Sequence, residues 1–360
     1  MENLVRRNIK ELTPYMPGKP IEETRRELGL KEVIKLASNE NPLGASPKAC
    51  QAIKKAASSV NRYPDSSSFY LKRKIADSLL LSPDTLVLGN GSDELIEVIL
   101  KTFTEEDDNI VTSQASFLEY EIISEICARK LKKAPLKDFR YDLKAIRGLI
   151  DEKTKVVFVA NPNNPTGTYV NRNEIEEFLS GLPEGVILVL DEAYDTFIDV
   201  EDFPRGLDYI FKKNVIVLKT FSKAYGLAGL RVGYAVLRPE AARYMEKARQ
   251  PFNVNLLAQQ AAFAALDDRK FLNKTREAVL KGKEYLYTQL KKLNIDFVPS
   301  VANFILVDIK KDCLEFFKEM LKYGVIVRDM SQYGLNNFIR VTIGTARENK
   351  RFIEVLKKIL

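Results

Sequence analysis

At 360 residues the chain exceeds what one hydrophobic core usually serves, so a large unit with a smaller one is expected, and 45% hydrophobic with 29% charged residues excludes a disordered or fibrous chain. The net charge of +7 comes with no run of five basic residues and no basic stretch interleaved with aromatics. That excludes an evident nucleic-acid motif and leaves a small phosphorylated molecule as the better partner. Histidine is absent, which removes the commonest general base, the commonest metal ligand and every Ser-His or Cys-His arrangement. Cys50, Cys127 and Cys313 are far apart and in no CxxC pair, so neither a disulfide framework nor a zinc site is expected, and a reducing, cytoplasmic setting is. No apolar run approaches the roughly 18 residues of a membrane span, and no membrane partner is expected.

Residues 1–40 are rich in proline and charge and read as a short helix followed by an arm outside the sheet. From there to residue 240, short β-branched runs alternate with amphipathic stretches, the pattern of βα units around a mainly parallel sheet. The predicted strands are TLVLG (85–89), NIVT (109–112), KVVFVA (155–160), VILVL (186–190), VIVLK (215–219) and VGYAV (232–236). Between them, DELIEVILKTF from Asp93 and EYEIISEICARK from Glu119 read as helices. After residue 240 a long helical stretch rich in Ala, Gln, Lys and Glu leads to strands near ANFILVDI, VIVRD and FIRVTIG. The expected organisation is therefore an arm over 1–40 that joins the small unit, a large α/β domain over 41–240, and a small α+β domain over 241–360.

Three loops follow three predicted strands. VILVL runs directly into Asp191, NPNNPTG follows KVVFVA, and TFSKAYG follows VIVLK. In open parallel sheets ligand sites gather at the carboxyl ends of the strands, so these pieces converge on one rim. Taken singly, Asp191 also reads as a helix cap, NPNNPTG as an ordinary turn and Lys223 as a solvated surface lysine. Taken together they fit a pyridine cofactor whose aldehyde is held by an amine, Lys223. Its ring nitrogen is kept protonated by an acid, Asp191. Once a substrate amine displaces it, the Lys223 amine is free to move the substrate Cα proton, and no histidine competes for that task. GNGSDELIEVILKTF supplies a glycine-rich turn at a helix start, which makes Gly91, Ser92 and Asp93 the candidate phosphate cradle. A dinucleotide-binding reading lacks the third glycine of G-x-G-x-x-G. Ser222 and Arg231 are further candidate phosphate ligands, with a surface ion pair as the other reading for Arg231.

These motifs, with LTPYMPGKP, KLASNENPLG, NRYPD, PSVANFILV, GVIVRD and VTIGTAREN, resemble the fold-type I aminotransferases nearly throughout the chain. Within that group they resemble the branch acting on histidinol phosphate. The resemblance implies a pyridoxal 5'-phosphate enzyme and a homodimer with sites at the subunit interface. It further implies a seven-stranded, mainly parallel sheet flanked by helices, and a smaller α+β domain. It implies reversible amino transfer between L-histidinol phosphate and 2-oxoglutarate, giving imidazole-acetol phosphate and glutamate, a step of histidine biosynthesis. By motif it assigns Asn164 and Tyr194 to the ring oxygen, Phe117 to stacking on the ring and Tyr63 to the partner subunit's cofactor phosphate. Tyr15, Asn303, Arg328 and Arg340 fall at the substrate end. Without the resemblance Phe117 reads as core, Tyr63 as a turn residue, and Arg328 and Arg340 as strand-end charges. Ala115 stands where the family commonly has proline, and Lys219 where arginine is frequent. An aromatic amino-acid aminotransferase and a phosphothreonine-type decarboxylase share the cofactor residues and remain alternatives, as does a noncatalytic binding module.

Overall fold

The computed structural model describes residues 1–360. Seven strands build the central sheet: β1 (Leu86–Gly89), β2 (Asn109–Ser113), β3 (Lys130–Ala134), β4 (Thr154–Ala160), β5 (Ile187–Asp191), β6 (Val215–Thr220) and β7 (Gly233–Val236). Their spatial order is β1-β7-β6-β5-β4-β2-β3. All pairs are parallel except those of β7, which runs against both β6 and β1. Strands covered by helices on both faces must be apolar on both faces, and every residue of β1, β2 and β7 is buried. The expected fold-type I architecture, with its mainly parallel seven-stranded sheet, is the one found.

All six strands read from local pattern are present, and the seventh is β3. Its sequence KLKKA places lysines on an edge strand that pairs only with β2. Charge along an edge discourages pairing with other chains, and it also hides the strand from a hydrophobic pattern. Two helices differ in extent from expectation. The first starts at Gly91 and ends at Phe103, and the second spans Glu119–Ile126 only. It stops short of EYEIISEICARK because Ala128 turns left-handed (φ 55°) and redirects the chain into β3.

The single helical stretch expected after residue 240 is three helices, Pro239–Ala248, Leu256–Ala265 and Arg269–Lys292. The first two place Met245, Ala258 and Ala262 in the larger core, around the central sheet. These two helices therefore pack on the larger core, while the second core draws on Leu36, Tyr194, Phe197 and Ala224 as well as later residues. The second core surrounds a smaller antiparallel sheet of β8 (Phe297–Val298), β9 (Phe304–Asp308), β10 (Arg328–Asp329) and β11 (Phe338–Thr342), in the order β8-β9-β11-β10. VIVRD is divided: Val325–Ile326 pairs in parallel with Ile34–Lys35, and Arg328–Asp329 joins the small sheet. Residues 1–40 hold two short α-helices, Arg7–Glu11 and Ile21–Leu28, rather than one. No helix is long and apolar enough to cross a membrane.

Lys219, at the end of β6, is nearly buried and lies 2.8 Å from Glu192 Oε2, with Asp195 as a second partner. Glu192 also accepts a hydrogen bond from the Gly206 amide at 2.7 Å. This buried pair ties the loop after β5 to β6. Lys219→Met removes the cation and leaves Glu192 buried without its counter-charge. Unfolding in urea is expected to show a loss of about 3 kcal/mol; a change below about 0.5 kcal/mol would show that the loop is held otherwise.

Candidate active site

The parallel pairing sets the rim. In register, Asp191 lies beside Ala160 on one side and Leu218 on the other, so the loops after β4, β5 and β6 leave the sheet together. On the far side Gly233 pairs with both Thr220 and Gly89. That brings the end of β1, and the helix that starts at Gly91, to the same rim.

One cavity opens there. It is lined by Tyr15, Ser92, Asp93, Phe117, Asn164, Asp191, Tyr194, Ser222, Lys223, Arg231 and Arg340, all foreseen in the sequence. Four foreseen residues lie outside the lining. Gly91 is directly behind it at the helix start, and Asn303 is fully buried, donating its Nδ2 to the Asn39 carbonyl at 3.0 Å. Arg328 is beside it under the Tyr15 ring, with 5.3 Å from the guanidinium carbon to the ring centroid. Tyr63 is far more exposed, at 82%, and stacks on Phe252 with ring centroids 4.7 Å apart.

Lys223 is not the solvated lysine that its type predicts. Its Nζ has one long contact, 3.4 Å to the Ser38 carbonyl, and lies 5.7 Å from the centre of the Tyr194 ring. Burial, then the positive charge of Arg340, lowers its pKa to about 8. Asp191 is buried and accepts from the Tyr120 hydroxyl at 2.9 Å and from the Ala193 amide at 3.1 Å. Burial outweighs those hydrogen bonds and lifts its pKa to about 6. A cation placed beside this carboxyl reverses that shift.

At the opposite end, the helix Gly91–Phe103 begins without a side-chain cap, leaving its first amides without side-chain partners, and Ser92 and Asp93 of that first turn line the cavity. Gly91 is required here. Its φ of +85° belongs to the left-handed region, and an added Cβ would lie 2.4 Å from Arg231 Nη2. Arg231 pairs with Asp93 at 2.8 Å, so the ion-pair reading and the cavity reading both hold for this arginine. Gly226, in the loop carrying Lys223, has φ +71° and approaches Gly44 so closely that a Cβ would meet its carbonyl oxygen at 2.0 Å.

Asn164 accepts from Arg340 Nη1, and Arg340 Nη2 donates to the Ala37 carbonyl at 2.7 Å. Arg340 and Arg328 face each other in register across β11 and β10. Both are 4% exposed, and the Nε of each has no partner. Strand-end surface charges they are not.

Sequence reasoning gave no role to Ser38, Asn39 or Tyr120. Asn39 donates to the Tyr194 hydroxyl at 3.0 Å and holds φ 55° while buried, with its amide bonded to Thr342 Oγ1 at 2.9 Å. In the sequence Asn39 stands out only as part of the KLASNENPLG motif. Tyr120 carries no local signal, since its partner is 71 residues away.

The sheet order, the rim-borne lysine and acid and the uncapped helix start define an α/β enzyme of fold type I. The chain matches the family described as Aminotransferase class I and II over residues 31–356. It is 48% identical to the histidinol-phosphate aminotransferase of Moorella thermoacetica, over 99% of this chain and 92% of that one. Among solved structures, that of the histidinol-phosphate aminotransferase from Sinorhizobium meliloti in complex with pyridoxal-5'-phosphate superposes with TM-score 0.90 at 29% identity, covering 99% and 98% of the two chains. The L-threonine-O-3-phosphate decarboxylase from Porphyromonas gingivalis superposes with TM-score 0.80 at 25% identity, covering 91% and 99%. This chain belongs to the class I and II aminotransferases, and it is a transaminase.

Proposed function

We propose that the enzyme moves an amino group reversibly between L-histidinol phosphate and 2-oxoglutarate, with pyridoxal phosphate held by Lys223. The observation that carries the substrate reading is the cross-strand pair Arg328 and Arg340. Two buried guanidiniums in register repel each other, and an anion between or beside them relieves that repulsion. A substrate phosphate or a glutamate carboxylate suits both, and the relatives named for histidinol phosphate favour the first pairing of the two.

The residues fit the cofactor. An amine lowered to about 8 with one weak contact, a buried acid lacking a cation, and an uncapped helix start with an arginine beside it supply the three functions that the molecule needs. When bound, pyridoxal phosphate supplies an aldehyde that takes amines covalently and a ring that withdraws electrons from the attached carbon. Lys223 would hold that aldehyde, and its amine, when free, would take up and return a proton at the substrate Cα. Asp191 would keep the ring nitrogen protonated. Asn164 and Tyr194 would orient the ring oxygen, Phe117 would cover the ring, and Ser92, Asp93, Ser222 and Arg231 with the Gly91 turn would hold the phosphate. Tyr15 and Asn303 border the substrate end with the two arginines.

A homodimer belongs to the same reading. Val60, Tyr63, Phe69 and Tyr70 are exposed apolar side chains on neighbouring segments, which supports a partner covering them and Tyr63 reaching the second site. The free cysteines suit a reducing cytoplasm. A second reading, decarboxylation of a phosphorylated amino acid, is favoured by the same arginine pair and by the fold shared with the decarboxylase.

The test is a half-reaction. Loaded enzyme is mixed with histidinol phosphate and no keto acid, and the cofactor absorbance is followed, with phenylalanine and phosphothreonine in parallel. Rapid conversion by histidinol phosphate is expected. Faster conversion by phenylalanine, or carbon dioxide released from phosphothreonine, rejects the substrate assignment and keeps the fold and cofactor reading.

A further inference from the structure

The backbone from residue 12 to residue 18 lies outside any helix or strand, yet it brings Tyr15 to the cavity. It is held by hydrogen bonds at Pro14 and Met16, and their partners are Gln332 and Arg328. Gln332 sits in the single turn Ser331–Tyr333, between β10 and β11. Its Oε1 accepts from Arg328 Nη2 at 3.0 Å and from the Met16 amide at 3.3 Å. Its Nε2 donates to the Pro14 carbonyl at 3.3 Å. One neutral amide therefore fixes the guanidinium on one side and the peptide before and after Tyr15 on the other.

We propose that Gln332 is a positioning residue for the anion end of the site, latching the Pro14–Met16 segment over Arg328 so that Tyr15 and the guanidinium meet the substrate anion in one fixed arrangement. This rests on the substrate reading given above. Only a neutral side chain with both an acceptor and a donor can do it. A hydrophobe makes none of the three bonds. A carboxylate keeps the two acceptor roles, loses the bond to Pro14, and places a negative charge against Arg328 in competition with the substrate. Gln332 does not line the cavity, so its influence passes through Tyr15 and Arg328. It therefore acts on ground-state binding of the anion and leaves the proton transfer at Lys223 untouched.

Two variants and two readouts test this on the loaded, full-length enzyme. Gln332→Met is expected to raise KM for histidinol phosphate about tenfold, from the loss of the latch bonds, with kcat within about twofold. Gln332→Glu is expected to raise KM further than Gln332→Met despite being the closer shape. Hydrogen exchange at residues 12–18, measured without substrate, is expected to quicken in the Met variant. An unchanged KM in both variants overturns the proposal, as does a Glu variant that binds substrate as well as wild type. Parallel losses in kcat, cofactor absorbance and melting temperature would make the residue a general structural support and would also overturn it. If wild-type enzyme fails to convert histidinol phosphate, the substrate reading is at fault. The exchange measurement still decides the latch, and unchanged exchange rejects it.

Discussion

Lys223→Ala is expected to lower the rate of the amino-transfer half-reaction by about 10⁴-fold, the upper reach of what a positioned base contributes. The chain offers no substitute: it has no histidine. Asp191 is held by Tyr120 and Ala193, and Tyr194 has a phenol that burial raises to about 12, too weak an acid to serve as a ready base near neutrality. The cofactor should still bind through its phosphate but show the absorbance of a free aldehyde. A small primary amine added to the variant should restore part of the rate by occupying the space of the lost side chain. A variant within tenfold of wild type would mean that another group moves the proton. The same lysine sets a pH dependence. Covalent capture of added pyridoxal phosphate requires the neutral amine, and burial with the Arg340 charge lowers its pKa to about 8. Protonated below that value and neutral above it, the amine should give a capture rate that climbs with pH and levels off past about 8. A profile still rising between 9 and 10.5 would show that the amine is not desolvated as its surroundings require.

The second large effect is expected at Asp191. Asp191→Asn keeps size and can still accept from Tyr120, yet removes the negative charge proposed to face the ring nitrogen. Loss of such a fixed electrostatic partner is expected to lower kcat by about 10³-fold, with cofactor affinity changed far less, since the phosphate end is untouched. Burial, working against its hydrogen bonds, lifts this carboxyl to about 6, so in the empty cavity it is partly protonated near pH 6. A ring cation beside it would favour the carboxylate form. A cofactor methylated at that nitrogen carries the charge permanently, so it should return much of the activity of Asp191→Asn. If the methylated cofactor gives no gain, the acid acts by packing and not by charge.

Much of the frame was legible in the sequence because its signals are local. Runs such as KVVFVA and VILVL must be strands buried on both faces, and whatever follows such strands in a parallel sheet stands at its carboxyl rim. That alone places NPNNPTG, Asp191 and Lys223 together. Gly91 could be read in the same way, since a glycine before an amphipathic run marks a tight turn into a helix. β3 is not legible because KLKKA is an edge strand whose lysines obscure the pattern, and helical texture after residue 240 does not say which core a helix joins.

What only the tertiary structure decided are relations between residues far apart in the chain. The burial of Arg328 and Arg340 depends on the register of β10 with β11, with Arg328 bonded to the Met16 carbonyl and Gln332, and Arg340 to Asn164 and the Ala37 carbonyl. The hydroxyl bond from Tyr120 to Asp191 and the amide bond from Asn39 to Tyr194 span 71 and 155 residues. By itself the sequence determined the apolar strands, the rim and the candidate amine and acid that it carries, because hydrophobic periodicity and turn chemistry act over a few residues. Folding decided which of its many arginines, tyrosines and asparagines face the cavity, because burial and hydrogen-bond partnership arise only when separate segments pack.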